Sequence, residues 1–123
     1  MTYVCMYFQV HQPVRLRDYR VFDVGRDHNY FDDNRNEFYL KRISQKCYLP
    51  ANQKLLELIE QSGGDFRVSF SITGVLLEEL ERKFPDVLQS FQRLADTGCV
   101  EIFGETYYHS LAFLISRREF VLE

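Results

Sequence analysis

Two histidines and two glutamates stand near the predicted ends of β-strands, where they could bind a polar ligand. His11 and Gln12 follow the first predicted strand, and Glu101, Glu105 and His109 lie on or just after the third. The carboxyl ends of parallel strands meet at one edge of a sheet or barrel, and functional side chains collect there. Imidazole and carboxylate groups hydrogen-bond sugar hydroxyls in directed pairs. The set therefore suits a polar, uncharged ligand.

Each of these residues also has an ordinary structural interpretation. A single histidine after a strand is more often a packing or capping residue than a ligand-binding one. Glu101 is predicted in the middle of a strand, where it could pair with Arg67 because an isolated buried charge is very costly. Glu105 could be solvated on a loop, and Tyr107 and Tyr108 could belong to the core. Both interpretations stay open from the residues alone.

Strands and helices alternate along the chain. Alternation of apolar and polar residues predicts three strands: residues 3–10, 66–73 and 99–105. Apolar residues spaced by three or four predict four helices: residues 38–46, 51–61, 75–83 and 85–96. Right-handed crossovers between such strands place them in one parallel sheet, so the fold class is α/β. A long segment without periodicity, residues 14–36, follows the first strand and is typical of a functional loop.

Each predicted strand has two unlike faces. Phe8 and Val10 share one face of the first strand, whereas Gln9 and His11 share the other. Small polar residues line one face of the second strand in the same way. This division is typical of a barrel strand whose apolar face is covered by helices.

Composition and motifs argue against several classes of function. The net charge is −3 with no long block of one sign, which argues against a nucleic-acid partner. No apolar stretch approaches the ~20 residues of a membrane span, and no signal peptide is recognisable. The sequence has no G-x-S-x-G, no glycine-rich phosphate loop and no H-E-x-x-H.

The three cysteines indicate a reducing compartment. Cys5, Cys47 and Cys99 are odd in number and widely spaced, which argues against a disulfide framework and against a zinc knuckle. We expect them to be buried free thiols, and we expect a cytoplasmic location.

The last residues predict the start of a further helix. Ser116 and Glu119 have the spacing of a capping box, and apolar residues follow them. The sequence stops at Glu123, within about two turns of that start. Domain boundaries do not normally fall inside a short helix, so we expect residues 1–123 to be the N-terminal piece of a larger domain.

Four segments resemble the α-amylase-like members of glycoside hydrolase family 57. HQPVRLR at residues 11–17 is similar to the first conserved region of that family, and FDVGRDHNYFD at residues 22–32 is similar to the loop that follows it. KCYLPAN at residues 46–52 also matches, and GCVEIFGETYYHSL at residues 98–111 resembles the second conserved region. The four occur in the family's order and extend over essentially the whole chain.

This resemblance implies a fold and an activity. The family's catalytic domain is an incomplete parallel (β/α)7 barrel that cleaves or transfers α-glucans with retention of configuration and needs no metal or other cofactor. Its nucleophile is a Glu at the fourth strand and its general acid an Asp near the seventh, both beyond residue 123. The expected partners are an α-glucan or maltooligosaccharide and the remainder of the barrel. No membrane is expected as a partner, and the fragment alone is expected to be inactive.

The resemblance also implies roles for residues of this chain. His11 and Glu101 are expected in the active-site cleft as substrate-binding or supporting residues, together with Gln12, Glu105 and His109. Glu101 and Glu105 are not expected to be the catalytic pair. Four residues along a strand span roughly 13 Å, whereas a retaining pair lies ~5–5.5 Å apart.

Two other classes of function remain open. The chain could be a complete, non-catalytic carbohydrate-binding or assembly module, which would unfold cooperatively and bind glucan. It could also belong to a metal-dependent deacetylase or mannosidase-like hydrolase, but no Asp stands beside His11 to complete a metal site.

Overall fold

The computed structural model describes residues 4–123 and contains one three-stranded sheet. β1 (Tyr7–Val10), β2 (Val68–Ile72) and β3 (Val100–Phe103) lie side by side in sequence order, and both neighbouring pairs are parallel. The predicted α/β class and parallel sheet are thereby confirmed. Each strand is shorter than predicted, and Tyr3 lies outside the described residues. A (β/α)7 barrel needs more than these three strands, so that expectation stays a prediction.

Helices connect the strands as the apolar spacing predicts. The described residues form five α-helices: α1 (Asp33–Ile43), α2 (Leu49–Gln61), α3 (Gly74–Lys83), α4 (Pro85–Asp96) and α5 (Arg117–Leu122). The bounds of α3 and α4 agree with the prediction to within one residue. The predicted capping serine is confirmed, because the Ser116 hydroxyl accepts the backbone N–H of Glu119 at 3.3 Å.

A single helical segment stands where two separate helices were predicted. α1 begins before residue 38 and joins α2 through a π-helical turn, Ser44–Tyr48. The backbone N–H of Leu49 donates to the carbonyl of Ser44, five residues back. Pro50 comes next and has no N–H for an ordinary helical bond. The wide turn lies directly before the proline, and the helix continues through both.

The apolar faces of the strands pack against the helices to form the core. Its principal buried side chains come from the sheet and from all four long helices: Val10, Leu40, Tyr48, Leu55, Ile59, Val68, Phe70, Leu76, Leu80, Val87, Phe91 and Leu94. The Phe91 ring of α4 lies 5.8 Å from Phe70 on β2 and 5.8 Å from Tyr48, between ring centroids. Burial of each such side chain stabilises the fold by roughly 1.5–3 kcal/mol.

The opposite face of the sheet carries polar side chains and is partly open, although Ser71 in its middle strand is buried. The Tyr7 hydroxyl and the Ser71 hydroxyl hydrogen-bond at 2.6 Å, and the Tyr7 ring lies 6.0 Å from the Phe103 ring. Gln9 and Glu101 on this face are exposed. The predicted division into an apolar and a polar face is therefore confirmed, although Phe8 and Ile102 on the apolar face remain 39% and 50% exposed.

The long loop after β1 is braced by its own side chains. Leu16 and Phe31 form an antiparallel bridge across its base. Arg17 forms an ion pair with Asp27, and the Tyr19 hydroxyl donates to the backbone carbonyl of Asp27. The loop therefore has a defined shape although it lacks helical or strand periodicity.

The cysteines are all free thiols, but they do not share one environment. Cys99 is buried as predicted, whereas Cys5 and Cys47 are exposed, so the prediction of burial is wrong for these two. Cys5 precedes the paired part of β1, where no neighbouring strand covers it.

None of the helices within residues 4–123 has the length and apolar character to cross a bilayer.

Candidate functional site

Five polar side chains meet at the carboxyl end of the sheet, and we call them the rim cluster: Gln9, His11, Thr73, Glu105 and His109. Gln9 is on β1 and His11 follows that strand, Thr73 follows β2, and the last two follow β3. Parallel pairing carries them to one edge, because Gln9 is in register with Ser71 and Ser71 with Phe103. His11, Thr73 and Glu105 each lie two residues after these three positions, so their side chains meet on the same face.

Gln9 joins the cluster together. Its Nε2 donates to Glu105 Oε2 at 3.1 Å and lies 2.9 Å from His109 Nδ1. The same Glu105 oxygen lies 3.3 Å from His109 Nδ1. A primary amide has two N–H donors, so Gln9 can hold the carboxylate and the imidazole at once. The His109 side chain remains 44% exposed and is accessible to a ligand.

The surroundings of His11 lower its pKa and so favour its neutral form. Its Nδ1 lies 3.0 Å from the Thr73 hydroxyl, and its ring centroid lies 4.9 Å from that of His109. Burial lowers the pKa of His11 and the neighbouring His109 lowers it further, while Glu105 acts in the opposite direction. A neutral imidazole has one donor and one acceptor nitrogen, which suits a hydroxyl ligand.

Glu105 retains one unused acceptor. Its Oε1 is buried without a hydrogen-bond partner, while Oε2 accepts from Gln9. The side chain is only 12% exposed. A buried acceptor left without a partner costs roughly 1–3 kcal/mol, and a ligand hydroxyl would remove that cost if the carboxylate turned Oε1 outward. The rim cluster therefore has the character of an incompletely filled binding site.

Glu101 lies apart from the rim cluster. It is in register with Ser69, on the same face of β3 as Glu105 but four residues earlier. That separation is roughly 13 Å along the strand. Phe103 lies between the two positions, and its ring packs against Tyr7, which is level with Glu101. The structure thus does not bring Glu101 and His11 together, contrary to what we expected from the sequence.

Gln12 and His28 also lie outside the cluster. Gln12 Oε1 accepts from Arg15 Nη2 at 3.3 Å, and the Arg15 guanidinium lies 4.4 Å above the Tyr39 ring. His28 is exposed on the long loop and its Nδ1 lies 2.9 Å from the Tyr30 hydroxyl. The structure therefore unites three of the five predicted site residues, His11, Glu105 and His109.

Two members of the cluster, Gln9 and Thr73, were not among the predicted site residues. A signal for Gln9 existed, since it precedes His11 by two positions and so lies on the same face of the strand. Thr73 occupies the equivalent place after β2. Their contacts depend on which positions of neighbouring strands pair, and alternation within one strand does not contain that information.

The rim cluster has the groups for binding but not for glycoside cleavage. Glu105 is the one carboxylate among the described residues that hydrogen-bonds within it. A retaining glycosidase needs two carboxyl groups ~5–5.5 Å apart. Within residues 4–123 no three His, Cys, Asp or Glu side chains gather in a way that could hold a metal ion. The arrangement can orient hydroxyl groups through imidazole, amide and carboxylate hydrogen bonds.

Comparison with known proteins identifies one family. Residues 5–123 match Glycosyl hydrolase family 57. The chain is similar to a protein named "Putative alpha-amylase" from Methanocaldococcus jannaschii, with 37% identity over 121 residues. It is also similar to an "Alpha-amylase" from Pyrococcus horikoshii, with 29% identity over 92 residues.

The chain spans a minor part of these relatives. The first alignment covers 94% of this chain but 25% of the Methanocaldococcus protein. The second covers 75% of this chain and 14% of the Pyrococcus protein. No solved structure matches the chain significantly.

Proposed function

Because the chain belongs to glycosyl hydrolase family 57, we propose that it forms the sugar-binding N-terminal part of a retaining enzyme that hydrolyses or transfers α-glucans. Both relatives carry the name alpha-amylase, which favours an α-glucan over other sugars. The observation that supports this most directly is the unused buried oxygen of Glu105 beside two imidazoles.

The proposed mode of binding follows from the unsatisfied groups. The Glu105 carboxylate turns its buried Oε1 outward to accept a hydroxyl of one glucose unit, and the exposed His109 ring bonds a neighbouring hydroxyl. The His11 nitrogen that does not face Thr73 provides a third polar contact. Hydroxyls on adjacent sugar carbons are close enough to be bound in pairs, which explains why several directed groups stand together.

The catalytic carboxylates come from the remainder of the enzyme in this proposal. Glycoside cleavage with retention needs a nucleophile and an acid on opposite sides of the bond, and the rim cluster offers one carboxylate. The longer relatives have ample additional sequence for the further strands of a (β/α)7 barrel. The chain alone should release no reducing sugar from maltooligosaccharides, and measurable release would contradict the proposal.

A binding experiment tests the proposed substrate. The chain has three histidines, so its imidazole signals in an NMR spectrum are few and can be followed individually. Addition of maltotetraose should shift the signals of His11 and His109 and leave His28 unchanged, because His28 lies on the loop and bonds Tyr30. Cellotetraose, which has β-linkages, should shift none of them at the same concentration.

Matched substitutions separate binding from folding. His109→Ala should abolish the maltotetraose effect on His11, whereas His28→Ala should preserve it. Equal responses in the two variants, or equal responses to both sugars, would count against an α-glucan site at the rim cluster.

A cytoplasmic location is part of the same proposal. Cys5 and Cys47 are exposed and free, which is typical of proteins in reducing compartments. Disulfide-linked dimers in non-reducing gels of rapidly alkylated cells would argue against it.

A further inference from the structure

The loop after β3 approaches helix α3 at a glycine that leaves no room for a side chain. A Cβ atom on Gly74 would lie 2.1 Å from Cδ2 and 2.4 Å from Cε2 of the Tyr107 ring. Real Cβ contacts are never this short, so the ring occupies the place of the missing side chain. Gly74 has no left-handed backbone conformation that would itself require glycine. The close approach of Tyr107 is the reason that glycine fits here.

Tyr107 contacts α3 through its side-chain hydroxyl, its backbone carbonyl and the face of its ring. Its hydroxyl donates to Glu78, one turn into the helix, and its backbone carbonyl accepts the N–H of Val75 at 3.1 Å. The ring therefore has little freedom to move aside. Any atom added at Gly74 must displace the whole residue.

The carbonyl of Tyr107 accepts a hydrogen bond that the Thr73 side chain would normally accept at the start of α3. Thr73 is the residue before the first turn of α3, where a threonine hydroxyl usually accepts a backbone N–H of that turn. Here it makes no such bond, and its Oγ1 lies 3.0 Å from His11 Nδ1 instead. Tyr107 accepts the N–H of Val75 in its place, and the Thr73 hydroxyl is oriented toward His11.

The same anchor fixes the other imidazole. His109 has a φ of 54°, a left-handed conformation that is uncommon for residues other than glycine, although histidine adopts it more often than most. Tyr107 precedes it by two residues and follows Glu105 by two. The loop is thus attached to α3 midway between the two residues that contact Gln9.

We propose that Tyr107, seated on Gly74, is the positioning residue of the rim cluster: it sets His109 directly and His11 through the hydroxyl of Thr73. The ligand in this inference rests on the proposed function, whereas the positioning itself does not. Without Tyr107 on Gly74, the Thr73 hydroxyl turns to the N–H groups of α3 and releases His11. The loop that carries Glu105 and His109 then detaches from the helix.

The test compares two identical substitutions in the full 123-residue chain. Gly74→Ala adds a methyl group against Tyr107, whereas Gly104→Ala adds one where no atom lies within 4 Å. The first readout is the NMR cross-relaxation between the ring protons of His11 and His109, whose centroids are 4.9 Å apart. We expect Gly74→Ala to abolish it and Gly104→Ala to preserve it. His28 serves as the internal reference in the same spectra.

Affinity for maltotetraose is the second readout. Loss of two aligned hydrogen-bonding groups should weaken binding about tenfold in Gly74→Ala. In a Tyr107→Ala background the ring is gone, so adding Gly74→Ala should cause no further change in either readout. Tyr107→Phe keeps the ring on Gly74 and loses the bond to Glu78, so it should retain most of the cross-relaxation.

The outcomes distinguish this inference from the proposed function. If the parent chain does not bind maltotetraose but Gly74→Ala still loses the imidazole contact, the positioning role stands and the substrate is wrong. An unchanged contact and unchanged affinity in Gly74→Ala would overturn the positioning role. Should Gly74→Ala fail to fold, Tyr107→Ala alone must lose the imidazole contact, and its retention would overturn the inference.

Discussion

Glu105→Gln is the sharpest single test of the rim cluster, because it changes charge and hydrogen bonding with almost no change in shape. In the native protein Oε2 accepts from Gln9 Nε2 at 3.1 Å, and the buried Oε1 has no partner. A glutamine must place its NH2 group at one of these two positions. At the position of Oε2, the new NH2 group faces the NH2 group of Gln9, so two donors meet. At the position of Oε1, it presents a donor to a ligand hydroxyl where the carboxylate presented an acceptor.

The expected magnitude follows from the number of bonds affected. One hydrogen bond to a charged acceptor is lost in either orientation, and such bonds contribute roughly 1.5–3 kcal/mol. The cluster is partly open to water, so the lower value applies, and maltotetraose should bind about tenfold more weakly. Removal of the carboxylate should also lower the pKa of His11 further, since Glu105 now opposes the lowering caused by burial and by His109.

The matched control is Glu101→Gln. Glu101 lies on the same strand and face but roughly 13 Å away, so its substitution should change the binding free energy by less than about 0.5 kcal/mol. Isothermal titration calorimetry measures both affinities, and NMR titration measures the pKa of His11. Native-like affinity in Glu105→Gln, or an equal loss in Glu101→Gln, would refute the assignment of the sugar to the rim cluster.

Two further predictions concern stability. Burial and then His109 lower the pKa of His11 below 6.5, so its neutral form contributes stability above about pH 6.5 that is lost as the pH falls through its folded pKa. The urea-unfolding free energy of His11→Gln should therefore fall less steeply than that of the native chain between about pH 8 and pH 5, and parallel curves would contradict this. Leu76 is fully buried and its neighbour Leu77 is 37% exposed, so Leu76→Ala should cost about 2–5 kcal/mol and Leu77→Ala much less. Chemical denaturation compares the two, and similar losses would show that the described core is incorrect.

The helices and the faces of the strands could be predicted from residue spacing. α4 begins at Pro85 and ends at Asp96 as predicted, because its apolar residues recur at helical spacing and a proline suits the first helical turn. The join between α1 and α2 was not predictable in the same way. Its π-helical turn carries Tyr48 into the core, where the ring packs against Phe91 of α4.

The polar character of the candidate site could be predicted from the sequence, but the set of residues that form it could not. Alternation along a strand shows that Glu101 and Glu105 share a face, since side chains repeat every two residues. It does not show which of them reaches the level of His11. The pairing of Ser69 with Glu101 decides that question, and it depends on hydrogen bonds between segments more than 30 positions apart in sequence.

The order of the residues alone thus determined the α/β class, the strand faces and the polar character of the sheet's carboxyl edge, because these depend on local periodicity. The tertiary structure decided the register that excludes Glu101 and includes Gln9. It also decided that the carbonyl of Tyr107 takes the place of the Thr73 hydroxyl at the start of α3. These contacts join groups that are distant in the chain, so local periodicity does not reveal them. They also depend on the space left by the backbone, as at Gly74, where the absence of a side chain leaves room for the Tyr107 ring.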